Sequence, residues 1–177
     1  MPRIPPLQPE EMTPDQRRIH DEILRTRGGH WFHGPYDALL LQPRIAGPAQ
    51  ELGNFLRFHT CLGQRLSELA ILLVARHWEC EFEWQQHAPL AQSAGLSPAT
   101  IGAIQAGSLP MDLPADEETV LRFAQSLLQR HRIEDAVYER AMLSFGVIGV
   151  VELTGLIGYY SFLATTLLAH EIRLVQK

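Results

Sequence analysis

Apolar positions recur at helical spacing along most of this chain, broken by short runs of Gly, Pro and acidic residues. Thr13-Pro14-Asp15-Gln16 combines an N-cap, a Pro at the first helical position and a capping-box Gln, predicting a helix to about Arg27 that Gly28-Gly29 ends. Pro43 to Thr60 reads as one or two short helices, with Leu52, Phe55, Leu56 and His59 on one stripe. Leu66 to Ala94 is the central apolar region. Ser97-Pro98 starts a short helix that stops near Gly107. A further helix runs from Asp116 to about Arg130, with acidic residues in its first turn and Val120, Phe123, Ala124, Leu127 and Leu128 inward. A helix around Val137–Phe145 and a long apolar segment from Val147 to about His170 close the chain. Strand-like Val/Ile/Thr blocks do not appear, so the expected class is all-α, a single domain over residues 1–177.

Three stretches depart from that rhythm. Residues 1–12 are rich in Pro and read as an extended arm lying along the surface or a partner. The loop GGHWFHGPYDALLLQPR is too irregular for a regular element and too aromatic for a linker, so it is placed over a pocket or packed on the core. Leu153 to Ala169 is uncharged, near the lower length limit of a membrane span. Glu152 at its head, Tyr159 and Tyr160 within it and the lack of a basic flank argue for a buried helix instead. Gly155 and Gly158 would let another helix approach closely.

The chain has 177 residues with 46% hydrophobic content, enough for one domain with a core. A net charge of -5 gives no support for nucleic acid or an anionic membrane as partner. Lys177 is the only lysine, which excludes an internal Schiff-base lysine and the cofactor chemistry that needs one. Cys61 and Cys80 do not make a disulfide framework or a zinc module. The start MPRIPPLQPEE lacks the apolar core of a signal peptide, so the expected location is cytoplasmic.

Candidate chemistry concentrates between Gln64 and Leu90. Cys80, Glu83 and His87 stand at i, i+3 and i+7, so one helical face would present all three, with Trp84 as a flanking apolar wall. A carboxylate and an imidazole one turn apart can act as general base and acid without a metal or cofactor. Glu68 would lie about 22 Å from Glu83 on an unbroken helix, so it joins only if the chain bends near Arg76–Glu79 or a neighbouring subunit supplies one half. The same residues also read as an ordinary helical Glu–His pair beside a small buried thiol. Their spacing is too loose to specify a metal site, and none is assigned. His30, His33, Tyr36 and His59 are pocket candidates, and Arg44, Arg57 or Arg76 could hold a substrate carboxylate.

The pattern Glu68-x11-Cys80-x2-Glu83-x3-His87, with the following Ala91–Leu96 turn, resembles the carboxymuconolactone decarboxylase family of the alkylhydroperoxidase D-like superfamily. The GPYDALLLQPRIAG segment and the VVELTGLIGYY helix extend the resemblance over most of the chain. It implies an all-helical subunit with a central antiparallel helical hairpin, assembled as a homo-oligomer, trimer or hexamer. In the peroxidase branch a Glu, two Cys and a His form a proton relay. The resemblance carries the Glu to Glu68, the first Cys to Cys80 and the His to His87, whereas Glu83 replaces the second Cys. The resemblance implies that the two Cys of that branch form a redox-active Cys-x-x-Cys disulfide, which one thiol cannot close. The decarboxylase branch acts by proton transfer on a small carboxylate-bearing lactone, which suits Glu83 and His87 with Glu68 in support. The expected function is therefore a cofactor-independent lyase or isomerase with a small-molecule substrate. The site is Glu68, Cys80, Glu83 and His87, with Arg76, Trp84, His33, Tyr36 and Arg57 around the substrate. A thiol peroxidase using Cys80 alone and a non-catalytic oligomeric binding protein remain as alternatives.

Overall fold

The computed structural model describes residues 2–26 and 34–174; His30, Trp31, Phe32 and His33 lie outside them. Among the described residues the regular structure is helical throughout. The helices are α1 (Pro14–Thr26), α2 (Pro35–Leu39), α3 (Pro43–Phe58), α4 (Gln64–His77), α5 (Glu81–Ser93), α6 (Pro98–Gln105), α7 (Ala115–Arg130) and α8 (Asp135–Ala169).

The core is built around α4. Every residue from Leu66 to Ala75 is buried, because α5, α7 and α8 pack around it. A charged group on a helix covered on all sides depends on protein partners, and that dependence shapes the surroundings of Glu68. At its N-terminal end, Arg65 pairs with Asp116 and the buried Glu117 in the first turn of α7.

The end of α4 decides the topology. Glu79 adopts a left-handed conformation with φ 50, and the Cys80 N–H donates to the Ala75 carbonyl at 2.8 Å. This six-to-one bond with a left-handed residue inside it is a Schellman termination. It turns the chain back, so α5 runs antiparallel along α4 as a helical hairpin. The same device follows α5 at Gly95 and α6 at Gly107, where the Leu96 and Ser108 amides donate to the Ala91 and Ala103 carbonyls.

Several local expectations hold in atomic detail. The Thr13 N–H donates to Gln16 Oε1 at 2.8 Å, and the Gln16 N–H reaches Thr13 Oγ1 at 3.4 Å, forming the capping box of α1. Ser97 caps α6 by accepting from the Thr100 N–H at 2.9 Å. The arm is pinned to the far end of the chain, with the Arg3 amide donating to the His170 carbonyl and its guanidinium bound to Glu171.

Others need correction. The GPYDALL stretch is not wholly irregular: Pro35–Leu39 forms a short helix whose residues are all buried, its entry fixed by the Gly34 N–H donating to Asp37 Oδ2. On α3 only Leu56 of the expected stripe is buried, while Leu52, Phe55 and His59 are exposed. The inward face of that helix is formed by the small residues Ala46, Ala49 and Gly53 together with Gln50.

The last helix is one rod interrupted at Gly146, where φ 67 and ψ 178 are not helical. By length and composition it could cross a membrane. Here its C-terminal part packs in the domain, burying Leu153, Leu156, Ile157, Tyr159, Tyr160 and Leu163, while Leu143, Val147, Ile148 and Val151 face outward. Among the described residues neither Gly155 nor Gly158 allows an unusually close helix approach; a tight contact between helices lies at Gly53, where a Cβ would collide with the Tyr159 ring and hydroxyl.

Candidate active site

The hairpin brings α4 and α5 side by side, and three buried ionisable residues meet across it. Glu68 comes from the first half of α4, Glu83 from the first turn of α5 and His87 one turn further on. His87 Nδ1 is 2.7 Å from Glu68 Oε2, and His87 Nε2 is 3.4 Å from Glu83 Oε2. The imidazole is thus held between two carboxylates, tightly on one side and loosely on the other. The side chains of Glu68 and His87 are 3% and 5% exposed, so bulk water does not satisfy them. Glu83 at a helix N-terminus also benefits from the helix dipole.

Burial by itself pulls the pKa of His87 down, but the paired Glu68 and Glu83 carboxylates more than reverse this and hold it above the ordinary histidine value. The proton-bearing state is therefore favoured in the fold. Glu68 fixes the ring orientation through Nδ1, leaving Nε2 directed towards Glu83.

Glu83 and His87 face a cavity of about 450 Å³. Its other walls include Tyr36 of α2, Arg57 and Phe58 of α3, Phe82 and Gln86 of α5, and Tyr159 and Tyr160 of α8. Its volume suits a small organic molecule. The Tyr36 and Tyr159 hydroxyls are 3.0 Å apart, joining α2 to α8 across one wall. Tyr160 stands edge-on to His87, with ring centroids 5.1 Å apart and planes at 89°. The half-buried Arg57 lies over the Phe58 ring, its guanidinium carbon 5.3 Å from the centroid.

The structure thus brings Glu68, Glu83 and His87 together, with Glu68 behind His87 and outside the cavity lining. Tyr36 and Arg57 line the cavity. Arg76 and Trp84 do not. They border a separate hollow of about 280 Å³ at the α4–α5 turn, because the Schellman reversal leaves both on the side of the hairpin away from His87. Cys80 also borders that hollow. It is the N-cap of α5 rather than part of its helical face, and its thiol packs among Ala38, Phe82, Ala164 and Leu167. Burial pushes the thiol pKa up to about 11, with the Glu83 charge adding to the effect. Arg44 and His59 are exposed and outside the cavity, while His33 falls outside the described residues. Tyr159 and Tyr160 also line the cavity, although in the sequence they stand out only as interruptions of an apolar helix. Their hydroxyls in an otherwise greasy run were the available signal. Among the described residues no group of three or more His, Cys, Asp or Glu has the arrangement of a metal site.

No protein-family model matches the chain, and no curated protein matches it in sequence. Solved structures do match in fold. One is an uncharacterised peroxidase-related protein from Ralstonia eutropha, described as an alkylhydroperoxidase AhpD core. It superposes with a TM-score of 0.81 at 14% identity, over 99% of this chain and 93% of that one. Another is a protein of unknown function from Agrobacterium tumefaciens, assigned provisionally as antioxidant defence protein AhpD. Its TM-score is 0.69 at 16% identity, over 79% of this chain and 97% of that one. The chain therefore has the alkylhydroperoxidase D-like fold.

Proposed function

We propose that this protein is a cofactor-independent lyase or isomerase that moves a proton on a small lactone or carboxylate substrate. The observation that carries this reading is His87 held between Glu68 and Glu83 at the wall of a cavity that also presents Arg57. A carboxylate and an imidazole facing one cavity can remove a proton from carbon and return it elsewhere. Glu83 is the group placed to exchange a proton with substrate. His87 supplies or receives that proton through Nε2, and Glu68 stabilises the imidazolium from behind. In a decarboxylation the carbon–carbon bond to the leaving carbon dioxide breaks, its electron pair enters the conjugated carbonyl system, and the same relay protonates the resulting carbanion. Arg57 supplies the positive charge that a substrate carboxylate requires in a site already holding two carboxylates.

The Ralstonia neighbour is described as peroxidase-related, and a thiol peroxidase would use Cys80. That thiol is buried, borders a different hollow and has a pKa near 11, so almost none of it is thiolate at neutral pH. The geometry favours the carboxylate–imidazole chemistry.

The test uses 2(5H)-furanone, the simplest unsaturated lactone, in deuterium oxide. Uptake of deuterium at its ring methylene, followed by proton NMR, should be catalysed by the wild-type protein. Loss of that catalysis in both Glu83→Gln and His87→Asn is the expected result. Wild-type rates in both variants would remove the reading.

A further inference from the structure

Tyr160 is 3% exposed, and its hydroxyl, bonded to no described residue, is not among the fully buried unpaired polar atoms, which fits an oxygen opening onto the cavity the residue lines. A hydroxyl that opens onto a cavity without a protein partner is free to donate to a bound molecule. The residue lines the cavity that Glu83 and His87 face, and its ring leans edge-on against the imidazole. Its neighbour Tyr159, by contrast, is bonded to Tyr36. One tyrosine of the pair is therefore structural and the other faces the space where a substrate would sit.

We propose that the Tyr160 hydroxyl is the oxyanion donor of this site, binding the carbonyl oxygen of an enolisable carbonyl or lactone substrate while Glu83 moves the proton on carbon. This rests on the acid–base reading and specifies what kind of substrate it acts on. When the carbon–hydrogen bond beside the carbonyl, or at the γ position conjugated with it as in the furanone ring methylene, breaks, the proton passes to Glu83. The electron pair moves, directly or through the double bond, onto the carbonyl oxygen. The Tyr160 O–H donates to that oxygen and stabilises the enolate; reprotonation at the same or a conjugated carbon returns the neutral product. No other reactant is consumed. Burial and the nearby Glu83 and Glu68 charges keep Tyr160 protonated well beyond the ordinary tyrosine range, so it remains a donor at every physiological pH. The two carboxylates and the histidine supply no comparable neutral donor, which is what an enolate oxygen beside them needs.

The same furanone probe, labelled with carbon-13 at the carbonyl, tests this by infrared spectroscopy. Bound to the wild-type protein its carbonyl stretch should fall, as expected of a strong hydrogen bond. In Tyr160→Phe the stretch should return towards its value in an apolar solvent. Deuterium uptake should slow by about 10²-fold with KM changed little, the usual effect of losing one oxyanion donor. Because the hydroxyl has no partner among the described residues to abandon, Tyr160→Phe should melt no lower than the wild type; a purely structural tyrosine would behave in the opposite way. A stretch that is unshifted at saturating furanone, or that is shifted equally in Tyr160→Phe, overturns the proposal. The two readings fail separately: a Tyr160-dependent shift without deuterium uptake removes the acid–base function and leaves the donor, whereas uptake unchanged in Tyr160→Phe removes only the donor.

Discussion

His87 Nδ1 and Glu68 Oε2 stand 2.7 Å apart across the α4–α5 hairpin, with both side chains buried. Neither group would tolerate that environment alone, since an isolated buried charge costs several kcal/mol. The pair couples the hairpin's geometry to the protonation of the site.

Replacing Glu68 should separate these two roles. Glu68→Ala leaves His87 without its orienting partner inside the core, and loss of one member of a buried pair costs about 3–5 kcal/mol. Glu68→Gln keeps a hydrogen-bonding side chain but removes the charge, so the stability loss is smaller and the His87 pKa falls. Deuterium uptake on the furanone should drop by about 10²-fold in Glu68→Gln, the scale of a general acid–base contribution. Chemical denaturation and NMR titration of the imidazole read the two effects independently. An unchanged His87 titration in Glu68→Gln would contradict this account.

The pH dependence of stability follows from His87. Its folded pKa lies above the unfolded reference of 6.5, so the fold binds its proton more strongly than the unfolded chain does. The resulting stabilisation is fully present below the unfolded pKa and is lost as pH rises through the folded one. Unfolding free energies measured across neutral to alkaline pH should therefore decline in the wild type. The decline should flatten in His87→Asn, which cannot titrate. A wild-type curve that rises through this window would show that burial, not the carboxylates, dominates.

The reason the sequence left Glu68 in doubt lies in one residue. Helix ends at Gly95 and Gly107 carry the usual glycine, and the expectations there were close to the observed ends. At the end of α4 the left-handed position is filled by Glu79, so the reversal carried no glycine or proline to announce it. Of the central motif, the juxtaposition of Glu83 and His87 was legible from their one-turn spacing, whereas the place of Cys80 was not, because it caps α5 instead of lying on its face. Helical class was legible from periodicity. The inward face of α3 was not: apart from Leu56 its core contacts are made by small residues and Gln50, while Leu52, Phe55 and Phe58 point out, which departs from the usual pattern. Tyr160 was hidden for a different reason, since only the fold shows that it lines the cavity with its ring against His87.

Cys80 should be dispensable for proton transfer. Its thiol lies away from the Glu83–His87 cavity and is protonated at neutral pH. Cys80→Ala removes one buried heavy atom and should cost about 1 kcal/mol of stability, while deuterium uptake stays within about twofold of wild type. Alkylation of the native protein at neutral pH should modify the exposed Cys61 and spare Cys80. Abolished activity in Cys80→Ala, with the fold intact, would restore the thiol to the mechanism.

Arg57 should act on binding rather than on chemistry. It lines the cavity and stacks on Phe58, so its charge is available to a substrate carboxylate. A charge-assisted hydrogen bond contributes about 1.5–3 kcal/mol, or roughly 10- to 100-fold in KM. Arg57→Gln should raise KM by that factor for a carboxylate-bearing lactone and leave KM for the uncharged furanone nearly unchanged. Equal losses on both substrates would mean that Arg57 supports the cavity wall instead of reading the carboxylate.

The Tyr159 wall depends on the absence of a side chain at Gly53. A methyl group there would overlap the Tyr159 ring and hydroxyl, forcing the ring to move and opening its bond to Tyr36. Such overpacking costs about 1–3 kcal/mol, and the displaced ring would intrude on the cavity beside Tyr160. Gly158, also within α8, has nothing within 4 Å of the position a Cβ would take. Alanine at a helix-interior glycine with free space should stabilise by about 0.5–1 kcal/mol. Thermal melts of Gly53→Ala and Gly158→Ala should therefore move in opposite directions, and furanone turnover should suffer only in the first. If Gly53→Ala melts and turns over like the wild type, the close seating of Tyr159 on α3 is not what shapes this cavity.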